Sequence, residues 1–289
     1  MNFRAFYILA ISILVFGACT SGTPTPGTAQ SQKKSGIIEG TKAASSDPVA
    51  QATVFVDTPS GQCTGVLLSD DVVLTAAHCF DLDPAGFEGT TVTIRSGDLT
   101  LECTKAEASE IAHTPEAKLV AGVHQPDIAL LKLKTKVCKT VETALGSEVK
   151  TDDTVTIAGY GVGTTGDQPD TIDLRLILRD RATINELNSD LDPTIEEEAE
   201  QINSMNEYYD IMALYLFAVP VQSGQSMCGG DSGGPVFQMK DGILNIVGVN
   251  GAVLPNSKKG TPKCRNAFFQ IFTPVAPYAS WIESKIVRW

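Results

Sequence analysis

A histidine in LTAAHCF (74–80), an aspartate in HQPDIALLKL (124–133) and a serine in CGGDSGGPVF (228–237) have types that combine into one chemistry. A serine hydroxyl is a poor nucleophile unless a base takes its proton as it attacks. His78 has the chemistry to take that proton and return it to a leaving amine. Asp127, which opens an apolar run, has the chemistry to fix the imidazole tautomer and stabilise the imidazolium. Ser232 stands among four glycines, and glycine loses more backbone freedom on folding than any other residue. Access to a reacting atom explains so bare a setting. The N–H groups of Gly230 and Ser232 can point at a developing oxyanion where side chains would obstruct them, and losing one such donor typically costs on the order of 10²–10³ in rate. Taken singly, each residue has a plain structural reading: a core histidine, a turn aspartate, a serine in a glycine-rich loop.

The elements that must position these groups read as strands. Short β-branched runs alternate with Gly, Asp, Ser and Pro at QATVFVD (51–57), CTGVLLS (63–69), DVVLTA (71–76), TVTIRSG (91–97) and DIALLKLK (127–134). The pattern continues at DTVTIAGYG (153–161), DLRLILRD (173–180), PVFQM (235–239), ILNIVGVNG (243–251) and AFFQIFTPV (267–275). Many short strands at regular spacing predict an all-β sandwich or barrel. GDSGG also fits the G-x-S-x-G pattern of α/β-hydrolases, where the histidine follows the serine. All three histidines, His78, His113 and His124, precede Ser232, and the strands lack intervening helices, so that fold is excluded. Two helices are expected. One spans 193–215, with a capping box at Thr194 and Glu197 and an apolar face of Ile195, Ile202, Met205, Tyr209 and Met212. The other closes the chain in PYASWIESKIVRW (277–289).

Composition sets the compartment and excludes some partners. Apolar residues make up 43% and charged residues 19%, the balance of a globular chain, while a formal charge of −12 argues against nucleic acid. Arg4, the apolar run AFYILAISILVF (5–16) and the small residues after it read as an export leader over 1–18. FGAC at 16–19 resembles the lipobox of bacterial lipoproteins, which implies a lipid on Cys19, with 19–36 as a tether or propeptide. Six cysteines besides Cys19 are enough for three disulfides in an oxidising compartment, with the pairing open. A zinc site is disfavoured because no C-x-x-C pair occurs, and His113 and His124, without an evident task, are expected on the surface.

TAAHC, Asp127 in HQPDIALL and GDSGGP occur in the order His, Asp, Ser, and with these flanks the sequence resembles the trypsin/chymotrypsin family of serine proteases over 37–289. GYG (159–161) and YASWI (278–282) match minor signatures, whereas Thr64 stands where glycine is usual. The resemblance implies two six-stranded antiparallel Greek-key barrels, about 37–145 and 146–275, with a helix at 277–288. It implies catalytic His78, Asp127 and Ser232, an oxyanion hole at Gly230 and Ser232, and an active serine endopeptidase made as a zymogen. Cleavage before Ile37 would free an amine to pair with Asp231, although Gly36 ahead of it is not the usual Lys or Arg. The specificity pocket would involve Ser226, Met227, Gly251 and Ala267, with Asn250 and Ala252 at the substrate edge. A neutral Ser226 implies preference for small or medium apolar side chains over Lys or Arg. Disulfides Cys63–Cys79, Cys228–Cys264 and Cys103–Cys138 follow from the same resemblance. No metal or cofactor is implied, and the expected partners are peptide substrates and an activating protease, with the chain a monomer. Lipid on Cys19 and a free Ile37 amine cannot share one chain, so activation would also release the enzyme from its anchor. The alternative is a catalytically inactive homologue that acts by binding at a surface, and a purely structural lipoprotein is a third reading.

Overall fold

The computed structural model describes residues 37–81, 86–95, 102–120, 123–146, 148–161, 168–177, 214–255, 264 and 267–289. Cys19, the leader and the helix expected at 193–215, up to residue 213, lie outside the described residues. The first part of the chain supplies strands β1 (Thr41–Lys42), β2 (Thr53–Thr58), β3 (Gly61–Leu67), β4 (Val72–Thr75), β5 (Thr91–Thr93), β6 (Lys105–Ala112), β7 (Lys118–Val120), β8 (Val123–Gln125) and β9 (Ala129–Leu133). The second supplies β10 (Thr143–Leu145), β11 (Thr154–Gly159), β12 (Asp170–Leu176), β13 (Leu216–Pro220), β14 (Pro235–Lys240), β15 (Ile243–Pro255) and β16 (Ala267–Pro274).

These strands form two six-stranded antiparallel barrels. The first closes in the order β2-β3-β4-β9-β6-β5. The second runs β12-β11-β14-β15-β16-β13 and closes where β12 meets β13, with Leu174 opposite Pro220 and Leu176 opposite Ala218. Alternation along the strands dictates which face turns inward. In β12, Ile172, Leu174 and Leu176 are buried while Asp173 and Arg175 are exposed. β10 adds in parallel to β15, and β1 extends the second sheet beside β12.

One apolar cluster joins the barrels. It runs from Val54, Val66, Leu74 and Leu130 of the first barrel to Phe237, Ile246 and Val249 of the second, and on to Val275, Tyr278 and Ile282. Ile282 lies on the terminal helix, which spans Ala279–Arg288 and docks through that side chain, while Val287 on its far face is 86% exposed. Each barrel is therefore held against the other by shared burial, so the groove between them is a fixed feature.

Two short helices were not foreseen. α1 (Pro48–Ala52) starts at Asp47, whose carboxylate accepts the Val49 N–H at 2.9 Å, and Pro48 occupies the first helical position, where it costs no hydrogen bond. α2 (His78–Asp81) follows β4 directly. Disulfides join Cys63 to Cys79, Cys103 to Cys138 and Cys228 to Cys264. Each stabilises by about 2–4 kcal/mol by restricting the unfolded chain.

Candidate functional site

His78 opens α2 one turn after β4, and β4 pairs with β9 through Thr75 and Ala129. That pairing brings Asp127, two residues ahead of β9, alongside the histidine. The His78 backbone N–H donates to Asp127 Oδ1 at 2.9 Å, and His78 Nδ1 lies 2.7 Å from Asp127 Oδ2. Both residues are buried, and the Asp127 carbonyl accepts the Thr273 hydroxyl from β16, which ties the pair to the second barrel. Burial is the largest influence on the His78 imidazole and acts to lower its pKa. The charge of Asp127, its hydrogen bond and the charge of Asp81 outweigh burial, so the pKa is raised.

Ser232 sits in the turn ahead of β14. Its carbonyl accepts the Thr64 N–H at 2.8 Å, and the Thr64 hydroxyl donates to the Gly230 carbonyl at 2.8 Å while accepting the Tyr160 N–H at 3.1 Å. Thr64, noted in the sequence only as a departure from glycine, is thus the strap across the serine loop. Gly230 and Gly233 adopt φ of 90° and 78°, the left-handed region that glycine enters freely. A Cβ at Gly233 would collide with the Thr75 hydroxyl and the Thr64 carbonyl. The Gly233 N–H donates to the Asn250 carbonyl and the Asn250 N–H to the Gly234 carbonyl, each at 2.8 Å. The bareness around Ser232 is therefore required by packing between β3, β4 and β15, whether or not any carbonyl enters. Gly233→Ala is expected to cost at least about 1–3 kcal/mol from backbone strain alone, before the collision is counted, and a denaturant titration would measure the loss.

Asp231 is fully buried. Its Oδ2 accepts the Cys228 N–H at 2.8 Å, whereas Oδ1 meets no hydrogen-bond partner among the described residues. Burial, with the charge of Asp170 adding to it, pushes the carboxyl up to about 7 against the pull of the Cys228 and Gly161 amides. Ile37 is completely buried in the second barrel's core, and the next residue, Ile38, bridges to Ser226.

The pocket residues are committed to internal bonds. Ser226 is fully buried; its hydroxyl donates to the Met227 carbonyl at 2.9 Å and accepts from Gln270 Nε2 at 3.2 Å. Gln270 Oε1 in turn accepts the Met227 N–H at 3.0 Å. Met227 packs in the second barrel's core, and the Ala267 backbone pairs with Pro255. Gln270 was missed from the sequence, since one glutamine in AFFQIFTPV carries no spacing signal. At the substrate edge, Asn250 pairs with Phe272 and Ala252 with Ile271, the register slipping by one residue at Gly251. Tyr215 closes the same side, its hydroxyl bonded to the Gln125 side chain.

A second constellation adjoins the first. The His124 N–H donates to Asp81 Oδ2 at 2.7 Å, and His124 Nδ1 lies 2.8 Å from Asp81 Oδ1, the same two-point grip that Asp127 has on His78. His113 Nε2 lies 3.8 Å from Asp81 Oδ1, and its ring stacks on that of His124 with centroids 3.8 Å apart and planes 15° from parallel. Burial lowers the His113 pKa, His124 lowers it further, and Asp81 and Asp127 oppose them without prevailing. The expectation that His113 and His124 are surface residues is corrected: both are half-buried around Asp81, whose side chain is 7% exposed. Asp81, three positions after His78 on the same helical turn, is the signal that sequence reasoning passed over.

The family described as Trypsin matches residues 37–282. Trypsin Blo t 3 of Blomia tropicalis is 25% identical over 266 residues, covering 86% of this chain and 85% of that protein. Two solved structures, the scabies mite inactivated protease paralogues S-D1 and S-I1, match at 19% and 24% identity, each with a TM-score of 0.60. They cover 87% and 86% of this chain and 97% and 99% of their own, and they share its fold. The expectation of an active hydrolase, a zymogen-derived serine endopeptidase with an apolar P1 preference, is corrected on these findings. The same architecture is carried by proteins named as inactivated proteases, and an Asp–His–His cluster gathers at the end of the short helix that His78 opens. Asp127 and Asp81 both favour the charged form of the His78 imidazole.

Proposed function

The chain belongs to the trypsin family, and we propose that it uses the cleft between its barrels to bind a protein or extended peptide without cleaving it. The observation that carries this reading is Asp231: a fully buried carboxyl with one unpartnered oxygen and a pKa pushed up to about 7. In the uncleaved chain the Ile37 nitrogen is a peptide amide and carries no charge. The loop that carries Gly230 and Ser232 is instead held by Thr64, Asn250 and backbone bonds, an arrangement that needs no ion pair. The inactivated scabies mite paralogues support the reading further, because they are named as proteins in which this fold persists without protease activity.

The edge of β15 supports this reading. β15 pairs with β14 only as far as Val249, while among the described residues its continuation to Pro255 pairs with β16 alone. The other edge of residues 251–253 offers backbone groups to an added strand, so main-chain bonds would supply affinity and the flanking pocket selectivity. The chain is an exported protein: it carries three disulfides, which form and persist in oxidising compartments, and its first residues have the pattern of a leader.

Treatment of the purified protein, both intact and cleaved before Ile37, with a fluorophosphonate probe is expected to leave Ser232 unlabelled, and casein is expected to remain intact. A displayed peptide library should nevertheless enrich sequences that bind the wild type and Ser232→Ala equally well. Stoichiometric labelling at Ser232 would overturn the reading.

A further inference from the structure

We infer that Asp81, His113 and His124 form a binding site for a divalent transition metal of the zinc type, on the first barrel beside the His78–Asp127 pair. Their ligand atoms all lie within 4.8 Å of one another. Tetrahedral zinc, with bonds to nitrogen and oxygen of about 2.0–2.2 Å, sets its ligand atoms about 3.3 Å apart. The separations from Asp81 Oδ1, 2.8 Å to His124 Nδ1 and 3.8 Å to His113 Nε2, bracket that distance. Two imidazoles and one carboxylate suit zinc, cobalt, nickel or copper rather than calcium or magnesium, which prefer an all-oxygen shell.

His113 points most directly to a ligand. Its Nδ1 is buried with no hydrogen-bond partner among the described residues, and its Nε2 stops 3.8 Å short of Asp81, beyond hydrogen-bond reach. Coordination through Nε2 would replace that long approach to Asp81 with a bond, the ring proton staying on Nδ1. The carboxylate is already oriented for the task. Asp81 Oδ2 accepts the His124 backbone N–H, which leaves Oδ1 turned toward both rings, the outer-shell support that metal-binding carboxylates commonly have. The three residues come from different places, the end of α2, the segment after β6 and strand β8, so a bound ion would cross-link elements 43 positions apart in sequence.

The two rings lie 15° from parallel, and lone pairs on parallel rings do not converge. Binding must therefore splay the stack, with a water completing the fourth position as in open three-ligand zinc sites. The site is independent of whether the cleft binds or cleaves peptides, since Ser232 takes no part in it.

The test is titration of the chelator-treated full chain with zinc chloride in a calorimeter, and with cobalt(II) in a spectrophotometer. One ion per chain is expected, with a visible cobalt band of four-coordinate type that zinc displaces. His113→Gln and His124→Gln should each weaken binding by at least about tenfold, a loss that even outer-shell changes produce. The double variant should lose the band while keeping the circular dichroism of the wild type. Absence of saturable binding, or undiminished binding in the folded double variant, would overturn the site. If the double variant fails to fold, the wild-type cobalt spectrum decides: a four-coordinate band supports the site and its absence refutes it.

Discussion

Asp127→Ala is expected to lower the folding stability by about 3–5 kcal/mol, the cost of breaking a buried charge pair from one side. Domain stabilities lie at about 5–15 kcal/mol, so the loss would dominate a denaturant titration. The carboxylate is 5% exposed and makes two bonds to one residue, to the His78 backbone N–H at 2.9 Å and to Nδ1 at 2.7 Å. Removing it takes away the acceptor for the His78 amide and the partner of Nδ1, and it unfastens α2 from the approach to β9. The pair thus has a structural reason to persist whether or not the protein hydrolyses peptides. The sign of the pH effect follows from the raised His78 pKa: the pair's contribution is fully present below the unfolded histidine value and is lost as pH rises through the higher folded value. Asp127→Ala should remove that dependence as well as the stability, and a double cycle with His78→Ala would isolate the coupling. A loss below about 1 kcal/mol, the range of exposed pairs, would show that the grip is not structural.

Order and flanks made the two barrels legible. His78, Asp127 and Ser232 stand in TAAHC, HQPDIALL and GDSGGP, and alternation in runs such as DTVTIAGYG fixed which strand faces were buried. What stayed hidden depends on approaches between distant residues. Thr64 straps Gly230 across 166 positions, and Gln270 bonds Ser226 across 44, and no local pattern encodes either. Asp81, His113 and His124 lack the short ligand spacing by which metal sites are read from sequence, because α2 and β8 bring them together only after the barrel has closed. Activity was the least legible property. The side-chain types that make a nucleophile are the same ones that brace α2 and the glycine turn, so retained types alone do not distinguish the two uses.

The stability of the wild type is expected to fall by roughly 4 kcal/mol between pH 4 and pH 8 on account of Asp231 alone, and Asp231→Asn should abolish that fall. The carboxyl has an ordinary value of 3.8 and a folded value of about 7, with burial the chief cause and Asp170 adding to it. Between those values the native state keeps a proton that the unfolded chain has lost, so rising pH favours unfolding. The penalty is absent below the lower value, grows through the window and levels off above the upper one. Asparagine keeps an oxygen for the Cys228 N–H and carries no charge, so the variant should match the wild type near pH 4 and exceed it at pH 8. His78 also loses stability with rising pH, but it is unchanged in the variant, so subtracting the two pH profiles isolates Asp231. Urea titrations of both proteins across the window provide the measurement. If the two profiles run parallel from pH 4 to pH 8, Asp231 is ionised throughout, which requires a cation to reach its second oxygen. The loop around Ser232 would then be held by an ion pair, and the case for binding without hydrolysis would lose its main physical support.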